Sequence, residues 1–289
     1  MRFKDLYKRV STIEPKQLNV VNPEAESVFL GLKEAVNKGY VNLRLFGKRE
    51  LIEKQSEKIG LKPSFVYDCM TAVDAAKAAV TDIRQGKGEL LMKGDIPTAD
   101  FLRPILDREE GLRKGSILSH VAVCDTPNYP RLLFIADGGI NIAPDLETKK
   151  IITESTVEFA EKVLGEKPKI AFAAVIEKVN EKIPSTVDAA ILAETFRNKG
   201  YIAEGPISMD ILLSPEAAEK KGFISEVSGR TDVIIFPDIT PGNFMIKQMI
   251  LLENAIVGGL VLNASVPIIV LSRSDTAETK LNSILLSLL

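Results

Sequence analysis

Residues 18–47 read LNVVNPEAESVFLGLKEAVNKGYVNLRLFG, and their periodicity sets the fold class. The short run Leu18 to Val21 is strand-like. Asn22-Pro23-Glu24 then carries the marks of a helix start: a capping side chain, a proline in the first turn, and acids near the positive end of the dipole. Val28, Phe29, Leu32 and Val36 recur on one helical face before Gly39 stops the segment. Val41 to Phe46 is the next strand. Strand, helix and strand in succession argue for parallel βαβ construction.

The alternation continues along the chain. Arg49 to Ile59 is a predicted helix stopped by Gly60, Phe65 to Met70 a strand, Ala72 to Arg84 a helix, and Glu89 to Met92 a strand. In Lys93-Gly94-Asp95-Ile96-Pro97-Thr98, the last residue can cap a helix running to about Asp107. The charged, glycine-punctuated stretch Arg108 to Gly115 reads as a crossing between two lobes. Beyond it, Leu118 to Cys124 and Arg131 to Ala136 are spaced like an antiparallel pair. A helix at Thr153 to Leu164, a strand at Lys169 to Val175 and a helix at Thr186 to Asn198 follow. Ser214-Pro215-Glu216 opens a short helix. The strand Asp232 to Phe236 leads through Thr240-Pro241-Gly242-Asn243 into another helix. Leu260 to Asn263 and Ile268 to Leu271 are the last strands, and Thr276 to Leu289 the last helix.

At 289 residues the chain suits two lobes sharing a cleft. A chain of this size buries roughly 75% of its unfolded surface, so no disulfide or metal staple is needed. Its 37 basic and 39 acidic residues are interspersed, without the basic excess of a nucleic-acid binder. Cys69 and Cys124 lie far apart and read as buried apolar residues in a reducing compartment. The charged start Met1-Arg2-Phe3-Lys4-Asp5 lacks a signal-peptide stretch, and Val266 to Leu271 is far short of the ~20 residues that span a bilayer. A cytoplasmic location is expected. The single histidine, His120, sits in an alternating strand pattern and reads as structural. A zinc site built from several histidines is thereby excluded, and acid–base work falls mainly to carboxylates, lysines or the substrate.

Neither Gly-x-x-x-x-Gly-Lys-Ser/Thr nor Gly-x-Gly-x-x-Gly occurs, so any phosphate is held another way. Four strand-to-helix junctions carry polar residues where open α/β sheets place ligands. Thr98 with Arg103 could grip an oxyanion, or form a capped helix bearing a surface arginine. Asp137-Gly138-Gly139-Ile140-Asn141 offers two polar anchors around paired glycines, or a plain tight turn. Asp238 through Gly242 and Asn243 opens a helix that could face a phosphate. Ser272-Arg273-Ser274-Asp275 brings a hydroxyl, a guanidinium and a carboxylate into one turn; the guanidinium can neutralise phosphate while the hydroxyl donates to an oxyanion.

In this order and spacing, the junctions resemble the phosphate acetyl/butyryltransferase family, its butyryltransferase branch above all. The matching stretches are Met92-Lys93-Gly94 through Leu102-Arg103-Pro104, Phe134 through Asn141, Ser185-Thr186-Val187-Asp188-Ala189-Ala190, Phe236-Pro237-Asp238, Pro241-Gly242-Asn243, and Val266-Pro267-Ile268 through Asp275. The resemblance implies reversible transfer of a butyryl or branched-chain acyl group between coenzyme A and inorganic phosphate. It implies two three-layer α/β lobes like those of isocitrate and isopropylmalate dehydrogenase, residues 1–112 with 268–289 and residues 113–267. It also implies a homodimer or larger assembly, with no metal, no permanently bound cofactor and no covalent acyl-enzyme. CoA thiolate would attack the acyl phosphate in a ternary complex. Ser272 would stabilise the tetrahedral oxyanion or the leaving group, and Arg273 and Arg103 would hold phosphate. Acetyl-transferring relatives place an aspartate seven residues after the serine; here that position is Thr279. Glu278 is the candidate base, followed by Asp275. The alternatives are an acetyl-specific transferase, a metal-dependent dehydrogenase on the same fold, or a non-catalytic binder of CoA or acyl phosphate.

Overall fold

The fold is described from a computed structural model for residues 1–115, 117–272 and 275–289. The chain divides into two compact units, Lys4–Leu118 with Gly258–Leu289 (the first) and Met1–Phe3 with Ser119–Val257 (the second).

The chain begins with α1 (Phe3–Val10), β1 (Lys16–Val21), α2 (Glu26–Asn37), β2 (Val41–Gly47), α3 (Arg49–Ile59) and β3 (Phe65–Asp68). Next come α4 (Ala72–Arg84), β4 (Leu90–Lys93) and α5 (Thr98–Ile105). The second unit holds β5 (Ser119–Asp125), β6 (Leu133–Ala136), α6 (Leu146–Leu164), β7 (Ile170–Ala173), α7 (Pro184–Asn198) and β8 (Ala203–Ile207). It continues with α8 (Met209–Leu213), α9 (Pro215–Lys220), β9 (Val233–Ile235) and α10 (Ile239–Leu252). The chain then returns through β10 (Ile256–Leu262), β11 (Ile268–Ile269) and α11 (Ala277–Ser287).

In the first unit the strand order is β3-β2-β1-β4-β11-β10. All neighbours run parallel except β10 and β11, which pair antiparallel at Val261 and Ile268. The expected βαβ reading of residues 18–47 is therefore borne out. Its helix start is displaced: α2 begins at Glu26, after Ala25, and has no side-chain cap of its own. Asn22 instead takes a positive φ, and its side-chain amide donates to the Asp95 carbonyl at 2.7 Å. The Asp95 carboxylate, 70 residues away, accepts from Ala25 N at 2.5 Å and Glu24 N at 3.2 Å. A tertiary contact has replaced the local cap.

In the second unit the order is β5-β6-β9-β7-β8. The antiparallel β5–β6 pair matches the expectation, and β6, β9, β7 and β8 are mutually parallel. Strand β8 and helix α8 escape sequence reading because Gly205-Pro206 interrupts the β pattern and α8 has five residues. Helix α6 starts seven residues before the expected Thr153, with Asp145 accepting from Thr148 N at 2.8 Å. Both cysteines are free and buried, and burial pushes the Cys124 thiol up to about 12.

Candidate active site

In each unit the candidate residues leave the carboxyl ends of parallel strands, where an open α/β sheet exposes loops rather than side-chain faces. In the first unit β11 lies beside β4, with Ile268 opposite Leu91 and Ile269 opposite Met92. Lys93-Gly94-Asp95 and Leu271-Ser272 therefore emerge together. They line one recess with Ala25, Ser27, Val28 and Lys280. Ser272 N donates to Asp275 Oδ2 at 2.7 Å, and Asp275 N returns a bond to Ser272 O at 3.2 Å. Two lysines lie in this recess. Lys93 is 6% exposed, its Nζ 3.3 Å from Gly94 O and 3.5 Å from Leu271 O. Lys280 is 3% exposed and donates to the Asp275 carbonyl. Arg273 lies outside the described residues.

Glu278 is not brought to this recess. It is exposed in the first turn of α11 and lines a separate recess with Tyr7, Glu34, Lys38 and Tyr40. Burial pushes the Tyr7 phenol up to about 12, with the charges of Tyr40, Glu278 and Glu34 adding to the shift. Thr279, where the resemblance leads to the expectation of an aspartate, is absorbed into the helix cap: its N donates to Thr276 Oγ1 at 3.1 Å, and its hydroxyl lies 3.1 Å from the same oxygen. Thr98 does not cap α5; the helix starts at Thr98 itself, and the residue before it is Pro97, which has no donor or acceptor side chain. Thr98 and Arg103 are both exposed, and the Arg103 guanidinium lies 3.0 Å from Asp100. Neither lines the Ser272 recess.

The second unit assembles its own group. The β6–β9 pairing sets Ala136 opposite Ile235, so Asp137 and Phe236-Pro237-Asp238 leave the same edge. Asp137 is buried, and its carboxylate organises the loop it opens. One oxygen accepts from Gly139 N at 2.8 Å and Ile140 N at 2.9 Å; the other accepts from Asn141 Nδ2 at 2.6 Å and His120 N at 3.1 Å. Asp238 caps α10, accepting from Thr240 N at 2.8 Å. Thr240 through Asn243 lie inside that helix rather than ahead of it. Asn243 Nδ2 donates to Gly138 O at 2.9 Å. A Cβ on Gly242 would sit 2.7 Å from the Asp137 carbonyl, so only glycine lets α10 close on the loop here. Asp137, Asn141, Gly242 and Asn243 are thus drawn together by direct contacts.

Some buried polar residues at these edges were given no role from the sequence. Lys149 Nζ bonds Asp188 Oδ2 at 2.7 Å in a narrow recess beside Phe172, Ser185 and Phe236. Lys149 and Lys280 read as ordinary helical lysines, and Lys93 as a strand-end lysine, until the fold buries them. Among the described residues, no three His, Cys, Asp or Glu side chains are grouped as a metal ion would require.

The family described as Phosphate acetyl/butaryl transferase matches residues 17–288. This chain belongs to that family. The chain is 37% identical over 292 residues to a probable phosphate butyryltransferase of Bacillus subtilis, covering 100% of this chain and 97% of that relative. It superposes on a branched-chain phosphotransacylase from Enterococcus faecalis with a TM-score of 0.82 at 27% identity, over 94% of this chain and 97% of that one. A 4-hydroxythreonine-4-phosphate dehydrogenase from Burkholderia phymatum shares the fold at a TM-score of 0.57 and 13% identity, covering 95% and 96% of the two chains. The expected dehydrogenase-like α/β architecture is therefore found, in a member of an acyltransferase family.

Proposed function

We propose that this chain transfers a short acyl group reversibly between coenzyme A and inorganic phosphate, with butyryl or branched-chain groups preferred over acetyl. The observation that carries the reading is the family match over 17–288, together with 37% identity to a probable phosphate butyryltransferase across the whole chain. The chemistry is direct attack in a ternary complex: the thiolate adds to the acyl-phosphate carbonyl, the carbon–sulfur bond forms, the carbon–oxygen bond breaks and phosphate leaves. CoA is substrate and product, and no resident cofactor takes part.

Ser272 donates to the tetrahedral oxyanion or the leaving oxygen, and Arg273 and Arg103 hold phosphate. Asp275 orients Ser272 through its amide. Thr98 lies at the amide end of α5, and Asn141, Asp238, Gly242 and Asn243 shape the second substrate-binding edge around the Asp137 loop. A thiol titrates near pH 8.5, so positive charge close by is sufficient to draw out its proton. Asp275 is committed to the Ser272 amide and Glu278 lines another recess, which favours activation by charge over a dedicated carboxylate base. No helix among the described residues is long and apolar enough to cross a membrane.

The test is phosphate-dependent release of free thiol from acetyl-, butyryl-, isobutyryl- and isovaleryl-CoA. The expected order places the four- and five-carbon substrates above acetyl-CoA in kcat/KM. No release from any of the four would remove the assignment; acetyl-CoA as best substrate would reverse the chain-length preference.

A further inference from the structure

The recess beneath Ser272 holds two lysines that the reaction scheme does not use. Lys280, on the first turns of α11, is the more deeply buried. Its stem packs where α2 carries Gly31: a Cβ there would lie 2.9 Å from Lys280 Cβ and 3.1 Å from the Ala277 carbonyl, so a larger residue would push the two helices apart. Its ammonium donates to the Asp275 carbonyl, while the Asp275 carboxylate accepts the Ser272 amide. A continuous chain of contacts therefore runs from Lys280 through Asp275 to Ser272.

This arrangement is costly. Burying an ammonium disfavours its charged form, and burial lowers the Lys280 pKa even though the Asp275 and Asp95 carboxylates pull the other way. Lys93 adds a second ammonium to the same recess. An unbranched apolar side chain of equal length would fill the space without desolvating a charge, and such replacements are often neutral or stabilising. Packing alone gives no reason for a lysine here. Costly polar features of this kind concentrate at functional sites.

We propose that Lys280 is a positioning residue for Ser272, acting through Asp275 to hold the serine in its productive geometry. The proposal rests on the assignment of Ser272 to the acyl-transfer step and adds to it a residue that holds the serine in place.

The experiment compares Ser272→Ala, Lys280→Met and the double variant in steady-state kinetics with butyryl-CoA and phosphate, alongside thermal unfolding of each. Lys280→Met is expected to lower kcat by roughly 30-fold or more, with both KM values within about threefold of the parent. Its Tm is expected to equal or exceed the parent's. In the Ser272→Ala background the same change is expected to cost less than about threefold, because the residue it positions is already gone. Any of four results would overturn the proposal: near-parental kcat in Lys280→Met, a multiplicative loss in the double variant, failure to fold, or a Tm lowered by more than about 5 °C, the last two marking a structural residue. Near-normal turnover by Ser272→Ala alone would instead sink the serine assignment and the proposal with it, so the two failures are told apart.

Discussion

Ser272 is exposed three residues beyond a two-residue strand, and its backbone is tied on both sides to Asp275. A hydroxyl presented this way loses little freedom when it meets a developing oxyanion, which is how one hydrogen bond can count for several kcal/mol in a transition state. Ser272→Ala is expected to lower kcat by roughly 100-fold or more, measured as thiol release at saturating phosphate and acyl-CoA. Arg103 faces solvent with Asp100 as its partner, a surface pair of little worth to the fold. Arg103→Ala should therefore leave stability unchanged and raise the KM for phosphate about tenfold, since a charge-assisted bond contributes about 1.5–3 kcal/mol. A KM unchanged by that substitution would take Arg103 out of phosphate binding. Ser272 was legible as a candidate because it is polar and follows a strand, and Arg103 because it is a cation in the helix that follows one. Lys93 and Lys280 were not, because a lysine in a helix or at a strand end looks solvated until its neighbours are known.

At the scale of elements, the second-unit edge depends on one carboxylate. Asp137 gathers three backbone amides and the Asn141 side chain, and α10 closes over the loop through Gly242 and Asn243. Sequence reading took Asp137 as a ligand anchor; its hydrogen bonds face the protein instead, because four donors converge on a buried group. Asp137→Ala would remove the carboxylate that accepts from the Gly139 and Ile140 amides. It is expected to lower unfolding free energy by about 3 kcal/mol or more by denaturant titration, with Asp137→Asn retaining part of the difference. Equal stability of parent and Ala variant would show that the loop does not depend on this residue. The capping of α2 by Asp95 has the same character: local sequence supplied Asn22 and Pro23, but the contact 70 residues away decided the start.

At the scale of the whole molecule, α10 is apolar on faces the core does not use. Phe244, Leu251 and Leu252 are 67%, 75% and 76% exposed, and the helix carries a single charged residue, Lys247. Large apolar side chains grouped at the surface of one helix ordinarily mark a contact, and we propose that a second copy of the chain covers this one in a homodimer. Light scattering is expected to give a dimer mass for the parent and a monomer mass for Phe244→Asp with Leu251→Asp. A dimer that survives both substitutions would place the interface elsewhere. By itself the sequence determined the α/β class, the antiparallel β5–β6 pair, the stops at Gly39 and Gly60, and the polar strand-to-helix junctions. These follow from periodicity and punctuation within about a dozen residues, the range over which backbone propensity and amphipathicity act. Only the tertiary structure decided that Asp95 caps α2, that Asp137 serves its own loop, and that Lys280 lies beneath Ser272 while Glu278 lines a different recess. Those outcomes depend on strand register and helix packing between segments far apart in the chain, where a shift of one residue would turn each side chain to another neighbour.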